Sequence, residues 1–191
     1  MFTDESRFTL RHADGRLRVY RRVGKRYADA CVLRHDRFGG GSVMFWGGIV
    51  GNRRTDLVRV DGNLNTQVYR YHILTPHMLP FMQANPGMTF QQDNARPHVA
   101  RVNMAFLDQH NINVLPWSSL SPDLSSIEHV WDQLGRQVRR LRNLRQTLPE
   151  LTQALQEEWQ NIPMPRINWM IASMRRRCQA VVNGNGLITR Y

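Results

Sequence analysis

The chain has 191 residues, enough for one domain with a sizeable core at 41% hydrophobic content, and 26 Lys+Arg against 15 Asp+Glu give a formal net charge of +11. No run approaches the roughly eighteen apolar residues of a membrane span and no signal-peptide core follows the charged N-terminus, so membrane insertion and secretion are not expected. Cys31 and Cys178 form no ligand pair such as C-x-x-C, which speaks against a disulfide framework or zinc knuckle and points to a reducing compartment. Lys25 is the one lysine; arginine supplies the remaining basic charge, and its planar fork suits phosphate oxygens, so nucleic acid is the leading partner class.

The first third reads as strands. "RFTLRHADGRLRVYRR" has two β-prone runs flanking the turn pair Asp14-Gly15, and a loop from Val23 to Gly41 follows. "SVMFWGGIV" is apolar enough for a strand buried on both faces, and beyond Gly51-Asn52 "TDLVRV" is its hairpin partner, giving an antiparallel meander. Helix then alternates with strand. Val68, Tyr71, Leu74 and Met78 recur at helical spacing from Gln67 to Leu79, and Asn85-Pro86-Gly87 breaks the run. "MTFQQD" is a short strand ending at Asp93; Val99, Val102, Phe106 and Leu107 stripe a helix from Arg96 to Gln109; "INVLPW" is one more strand. The last third is helical. Ile127, Val130, Trp131, Leu134, Val138 and Leu141 share one face, Thr147 and Glu150 form a capping box opening a second helix to about Gln160, and Pro165 opens a third that runs toward Gly184. The expected fold is α/β, a mixed sheet covered by helices, with residues 1–145 as the main domain and 146–191 as a helical extension packed on it.

Three acidic residues stand where solvation does not explain them. Asp4 lies in the first strand, Asp93 ends a later strand in "FQQDNARPH", and Glu128 lies in the first turn of a helix in "SPDLSSIEHVWD", with 34 residues intervening between the last two. Ligands of α/β sheets collect at the carboxyl ends of strands, so the three meet if the Asp4 and Asp93 strands are neighbours. Converging carboxylates need a cation, and Mg²⁺ or Mn²⁺, two ions about 3.5 to 4 Å apart, suits in-line phosphodiester chemistry. Each residue also has an ordinary reading. Asp4 can face solvent, with Glu5 on the opposite face of the strand; Asp93 can make an Asx turn before a helix opened by Pro97; and "SSIE" from Ser125 reads as a capping box holding Glu128.

Together the segments "FTDESRF", "GGGSVMFWGGI", "FQQDNARPHVA" and "LPWSSLSPDLSSIEHVWDQLGR" resemble the catalytic domain of Tc/mariner-type transposases, in the branch with two aspartates and a glutamate 34 residues beyond the second. The resemblance covers nearly the whole chain. It implies an RNase H-like fold, a catalytic and metal-binding triad of Asp4, Asp93 and Glu128, two Mg²⁺ (or Mn²⁺) ions, cleavage at transposon ends and joining of the freed 3′-hydroxyl to TA-containing target DNA. It further implies DNA as partner, a homodimer, and a nuclear location. Family members carry two helix-turn-helix modules ahead of this domain, so the chain is expected to be an N-terminally truncated copy with a salt-sensitive, sequence-indifferent DNA grip, a frayed first strand and weak catalysis. Ser126 stands where relatives commonly have proline, and Arg96 where a proline is frequent beside the second aspartate.

Arg96, His98, Arg136, Arg139, Arg140, Arg175 and Arg176 are the candidate nucleic-acid contacts, with Arg142, Arg145 and Arg177 in the same basic tracts. Most of the five tryptophans fall at apolar positions and are expected in the core. A reading from another class is a catalytically silent DNA-binding remnant or domesticated interaction protein; a third is a general metal-dependent nuclease. Metal-dependent plasmid nicking separates them.

Overall fold

In the computed structural model, residues 1–10, 41–118, 121, 124–141 and 147–184 are described. The Asp14-Gly15 hairpin, Lys25, Cys31, Arg142 and Arg145 lie outside them.

β1 (Phe2–Thr9) pairs antiparallel along its whole length with β2 (Ser42–Val50), which pairs in turn with β3 (Arg53–Arg54) and β4 (Val58–Val60). The continuous apolar run of β2 is explained by its position: Val43, Phe45 and Ile49 enter one core, while Trp46 enters the other. The period-two alternation of strand side chains thus feeds two helical layers. One layer is α4 (Ser126–Arg140), α5 (Leu148–Asn161) and α6 (Met164–Ala172), followed by α7 (Met174–Asn183); the other is built by residues 66–83 and α3 (Arg101–Gln109). The helices after residue 146 share the first core through Leu151, Leu155, Trp159, Ile167 and Met170.

Glycines permit the closest approach in that core. A Cβ on Gly47 would lie 3.0 Å from ring atoms of both Trp131 and Trp159, whose indoles stack with centroids 5.3 Å apart. The Trp159 indole N–H donates to the Thr55 carbonyl at 2.9 Å. Arg54, in β3, donates to the carbonyls of Trp159, Gln160 and Ile162 at the C-terminal end of α5, satisfying groups that the helix leaves unbonded. Arg54→Ala is therefore expected to lower unfolding free energy by about 2 kcal/mol. Chemical denaturation checks this, and an unchanged midpoint would show that the carbonyls do not depend on the guanidinium.

Several local expectations are corrected. The helix after Asn65 begins as α1 (Thr66–Val68), with the Asn65 side chain capping Gln67 and Val68, and ends as α2 (Leu79–Gln83). Between them Tyr69–Met78 winds with i→i+5 hydrogen bonding around Pro76, which has no N–H to offer. The wider turn rotates the buried face to Tyr69, Ile73, Leu74 and Met78, leaving Tyr71 62% exposed. Helix α3 starts at Arg101 rather than at Arg96, because residues 96–98 form a turn closed on the Ala95 carbonyl; Val99 and Val102 are exposed and Asn103 is buried instead. Its amide donates to the carbonyls of Thr66 and Pro97, so a polar side chain occupies the inner face at no hydrogen-bonding loss on the donor side.

The strands expected at "MTFQQD" and "INVLPW" shrink to parallel bridges, Phe2 with Gln91 and Phe90 with Val114. The third C-terminal helix breaks at Ser173 into α6 and α7. Trp46, Trp131 and Trp159 are buried as expected, whereas Trp169 is exposed. The Thr147–Glu150 capping box forms.

Candidate active site

Backbone hydrogen bonds from Thr3 to Gln91 and from Gln91 to Met1 lay β1 beside the segment that leads to Asp93. β1 is hydrogen-bonded on both edges near its start, to β2 and to Gln91, and Met1 packs in the second core. Because α4 packs across the Phe2 and Phe8 face of β1, Asp4 on that face meets Glu128 in the first helical turn. Asp4, Asp93 and Glu128 line one cavity of about 430 Å³, with Asn94, Trp117 and Ser125 among its walls. Asn94 fixes part of the wall by donating to the Trp117 carbonyl at 2.9 Å.

The electrostatics of the cavity are those of crowded anions. Burial, with the charges of Glu128 and Glu5 and, more weakly, Asp93, pushes the Asp4 carboxyl up to about 8. Burial also raises Glu128, opposed by a hydrogen bond from Asp4 and reinforced by the charge on Asp93. Near neutral pH Asp4 therefore retains a proton that a cation would displace. Among the described residues no three Asp, Glu, His or Cys side chains close into a ready-made ion cage. Oxygen donors crowded enough to keep a carboxyl protonated nonetheless fit a hard divalent cation, which removes the repulsion as it binds.

Asp93 is anchored from behind. Its Oδ1 accepts the Ala95 N–H at 2.9 Å, the Asx turn expected from sequence, and accepts from His98 Nδ1 at 2.5 Å. His98 Nε2 in turn meets Glu5 Oε2 at 3.1 Å. Burial works against charge on His98, yet the hydrogen bonds from its ring to Asp93 and Glu5 outweigh it and raise the imidazole to about 9, so both nitrogens donate. The hydrogen bond from His98 is the main cause holding Asp93 below the usual carboxylate range. The Tyr69 ring packs on the imidazole at 4.2 Å, and its hydroxyl donates to Gln92 Oε1 at 2.6 Å. His98 is 1% exposed, so it is corrected from a nucleic-acid contact to a buried link. Glu5, read from alternation as facing away from the site, does face away from Asp4, but reaches Asp93 from the opposite side of the sheet through His98. The signal was the interval "DNARPH": an Asx turn followed by Pro97 folds residue 98 back upon residue 93.

The capping box expected at "SSIE" does not form, and Ser125 makes no side-chain cap bond. The neighbouring Ser126 hydroxyl instead accepts from Arg177 at 2.8 Å, and the same guanidinium nitrogen reaches the Met170 carbonyl at 3.3 Å. Arg177 is thus 2% exposed and ties the start of α4 to α6, which removes it from the basic surface. Arg96, Arg136, Arg139, Arg140, Arg175 and Arg176 are all exposed, and Arg136 pairs with Asp132 at 2.7 Å.

The charge pattern has a pH consequence. Asp4 rises from an ordinary 3.8 to about 8 and His98 from 6.5 to about 9, so each binds protons more tightly in the folded chain. Their stabilisation is complete at low pH and is lost as pH rises through the folded values; the depressed Asp93 has the opposite sign, but only in acid. With a chelator present, melting temperature is expected to fall between about pH 5 and 9, and Mg²⁺ is expected to stabilise the chain more as pH rises. Thermal melts across that range check this; a flat chelator series would refute the proton assignment.

The chain can now be set beside known proteins. It is 37% identical over 195 residues to the Tcb2 transposase of Caenorhabditis briggsae and 36% identical over 194 residues to the Tc1 transposase of Caenorhabditis elegans, spanning all of this chain and 70% of each relative. In structure it superposes on the Mos1 transposase paired-end complex with left transposon end at TM-score 0.73 and 19% identity, covering 96% of this chain and 54% of that one. The Mos1 transposase catalytic domain with Raltegravir and Mn gives TM-score 0.69 at 18% identity, covering 78% of each chain. The chain therefore spans about half of the Mos1 protein in the paired-end complex, and its mixed α/β architecture is the RNase H-like fold of that catalytic domain. The family model for DDE superfamily endonucleases matches residues 1–152, and with these relatives it shows that the chain belongs to that family.

Proposed function

We propose that this chain is the catalytic portion of a DNA transposase that cleaves a DNA strand with divalent metal and joins the freed 3′-hydroxyl to target DNA. The observation that carries the reading is the convergence of Asp4, Asp93 and Glu128, from three separate segments, on one cavity where burial and mutual repulsion keep a carboxyl protonated. Relatives studied with transposon-end DNA and with Mn or Mg support the partner and the ion class.

In this reading Asp4, Asp93 and Glu128 hold two Mg²⁺ or Mn²⁺ ions. When bound, the ions supply activation of the attacking oxygen and charge stabilisation at the leaving oxygen. The chain's own residues prepare the site. Asp4 gives up its proton, Glu128 is presented on the rigid first turn of α4, and Asp93 is aimed by Ala95 and His98, leaving Oδ2 available. The His98 imidazolium, sandwiched between Asp93 and Glu5, fixes the orientation of the ligand without exposing a second cation to DNA. Exposed arginines, Arg96 nearest in sequence to Asp93, hold phosphate; TA target preference, homodimer assembly and a nuclear location belong to the same proposal. Nicking of supercoiled plasmid with Mg²⁺ or Mn²⁺, against chelator and Asp93→Asn controls, tests it.

A further inference from the structure

Resting on the DNA reading above, we infer that a groove between α4 and α6, remote from the carboxylates, is a second DNA-backbone site. It has a volume of about 380 Å³ and is lined by Gln133, Arg136, Gln137, Arg140 and Arg166. No carboxylate is among these residues. Arg136 is partly neutralised by Asp132, but Arg140 and Arg166 have no ion pair among the described residues.

The groove is organised as well as charged. The Arg166 Nε–H donates to Gln133 Oε1 at 3.2 Å, bridging α6 to α4. Its guanidinium also lies 5.5 Å from the ring centroid of Trp169, and that of Arg176 on α7 lies 5.9 Å from the same ring. Trp169 is 57% exposed, an unusual position for an indole in a chain that buries Trp46, Trp131 and Trp159. Cation–π contact gives the ring a role there: it restrains two long cationic side chains that would otherwise sample many rotamers. Restrained guanidinium forks that have no carboxylate partner among the described residues, beside amide side chains, suit phosphodiester oxygens.

Position favours DNA over an acidic protein. Arg136 and Arg140 lie eight and twelve residues beyond Glu128 on the same helix, a rise of about 12 and 18 Å. Those positions also turn about 80° and 120° around the helix from Glu128, so it is the flank of a duplex engaged at the carboxylates, passing round α4, whose phosphates reach the groove. The groove would grip the backbone irrespective of sequence and set how far the bound duplex extends over the helical layer.

The test uses the whole chain carrying Asp93→Asn, so that DNA is bound without being cut. Fluorescence anisotropy follows binding of an unrelated duplex of about 30 base pairs from about 50 to 200 mM salt. Adding Arg140→Ala and Arg166→Ala is expected to lower the log–log salt slope by about 2, while Arg59→Ala with Arg101→Ala, an equal charge loss on elements of the second core, changes it much less. Trp169→Leu is expected to weaken affinity about two- to fivefold with the slope kept. Arg140→Gln with Arg166→Gln, checked by circular dichroism melting, separates lost charge from lost packing. Identical slopes in the groove and control variants would overturn the inference while leaving the DNA reading in place. Failure of the parent chain to bind duplex would overturn both, and loss of polyglutamate binding with DNA binding unchanged would assign the groove to an acidic protein and sink the proposal.

Discussion

Asp93→Asn is expected to reduce metal-dependent strand cleavage by on the order of 10³-fold while leaving the chain folded, because several kcal/mol of transition-state stabilisation depend on a correctly charged ion site. Asparagine retains an oxygen that can accept from Ala95 and His98, so the Asx turn and the buried imidazole keep their geometry. What it lacks is the negative charge that makes Oδ2 a ligand for a hard cation and holds the His98 ring cationic. Supercoiled plasmid nicking in Mg²⁺ and in Mn²⁺, alongside circular dichroism melting, reads both consequences. Wild-type nicking by the variant would remove Asp93 from the catalytic set. Equal loss of folding and nicking would instead reduce Asp93 to a structural role in its turn.

Trp159→Ala carries the largest expected loss of stability, about 4 kcal/mol, or a fall in melting temperature of about 10 °C. Trp159 is fully buried in α5, stacks on Trp131, sits above Gly47 and donates its indole N–H to Thr55. Truncation opens a cavity at the meeting point of β2, α4 and α5 and leaves the Thr55 carbonyl without that donor. Trp159→Phe keeps most of the apolar volume and is expected to lose about half as much. A calorimetric loss below about 1 kcal/mol for the alanine variant would mean that the helical layer collapses onto the sheet without this ring. Since α4 carries Glu128 and is held through Trp131 on the same stack, the variant is also expected to loosen the cavity and raise the metal concentration needed for cleavage.

Much of the fold was legible in the residues because its signals are local. The apolar run "SVMFWGGIV" needs no partner to announce a strand buried on both sides, and the stripe from Ile127 to Val138 is one helical face. Thr147 and Glu150 are three residues apart, so their reciprocal cap forms within a single turn. The acidic residues were legible as a set through the Asp93–Glu128 spacing and the motifs around them. Errors began where a side chain's partner is distant in sequence. Tyr71 and Val102 satisfy a 3.6-residue period, yet the widened turns around Pro76 and the late start of α3 turn them to solvent. Arg177 sits in a run of three arginines, the pattern of a solvated face, and is buried because Ser126 and Met170 offer it oxygens.

By itself the sequence determined the elements with strong periodicity, the strand sandwiched between two apolar layers, the family, and the acidic residues proposed to meet metal. These follow from short-range preferences and from spacings that the chain carries whatever its surroundings. The tertiary structure alone decided that β1 runs beside Gln91, that Asp4 and Glu5 approach Asp93 from opposite sides of the sheet, and that His98 is the cation between Glu5 and Asp93. It alone separated buried Arg177 from exposed Arg140 and Arg166. Charge in a folded protein acts through distance and burial, and neither is set until segments far apart in the chain are packed together.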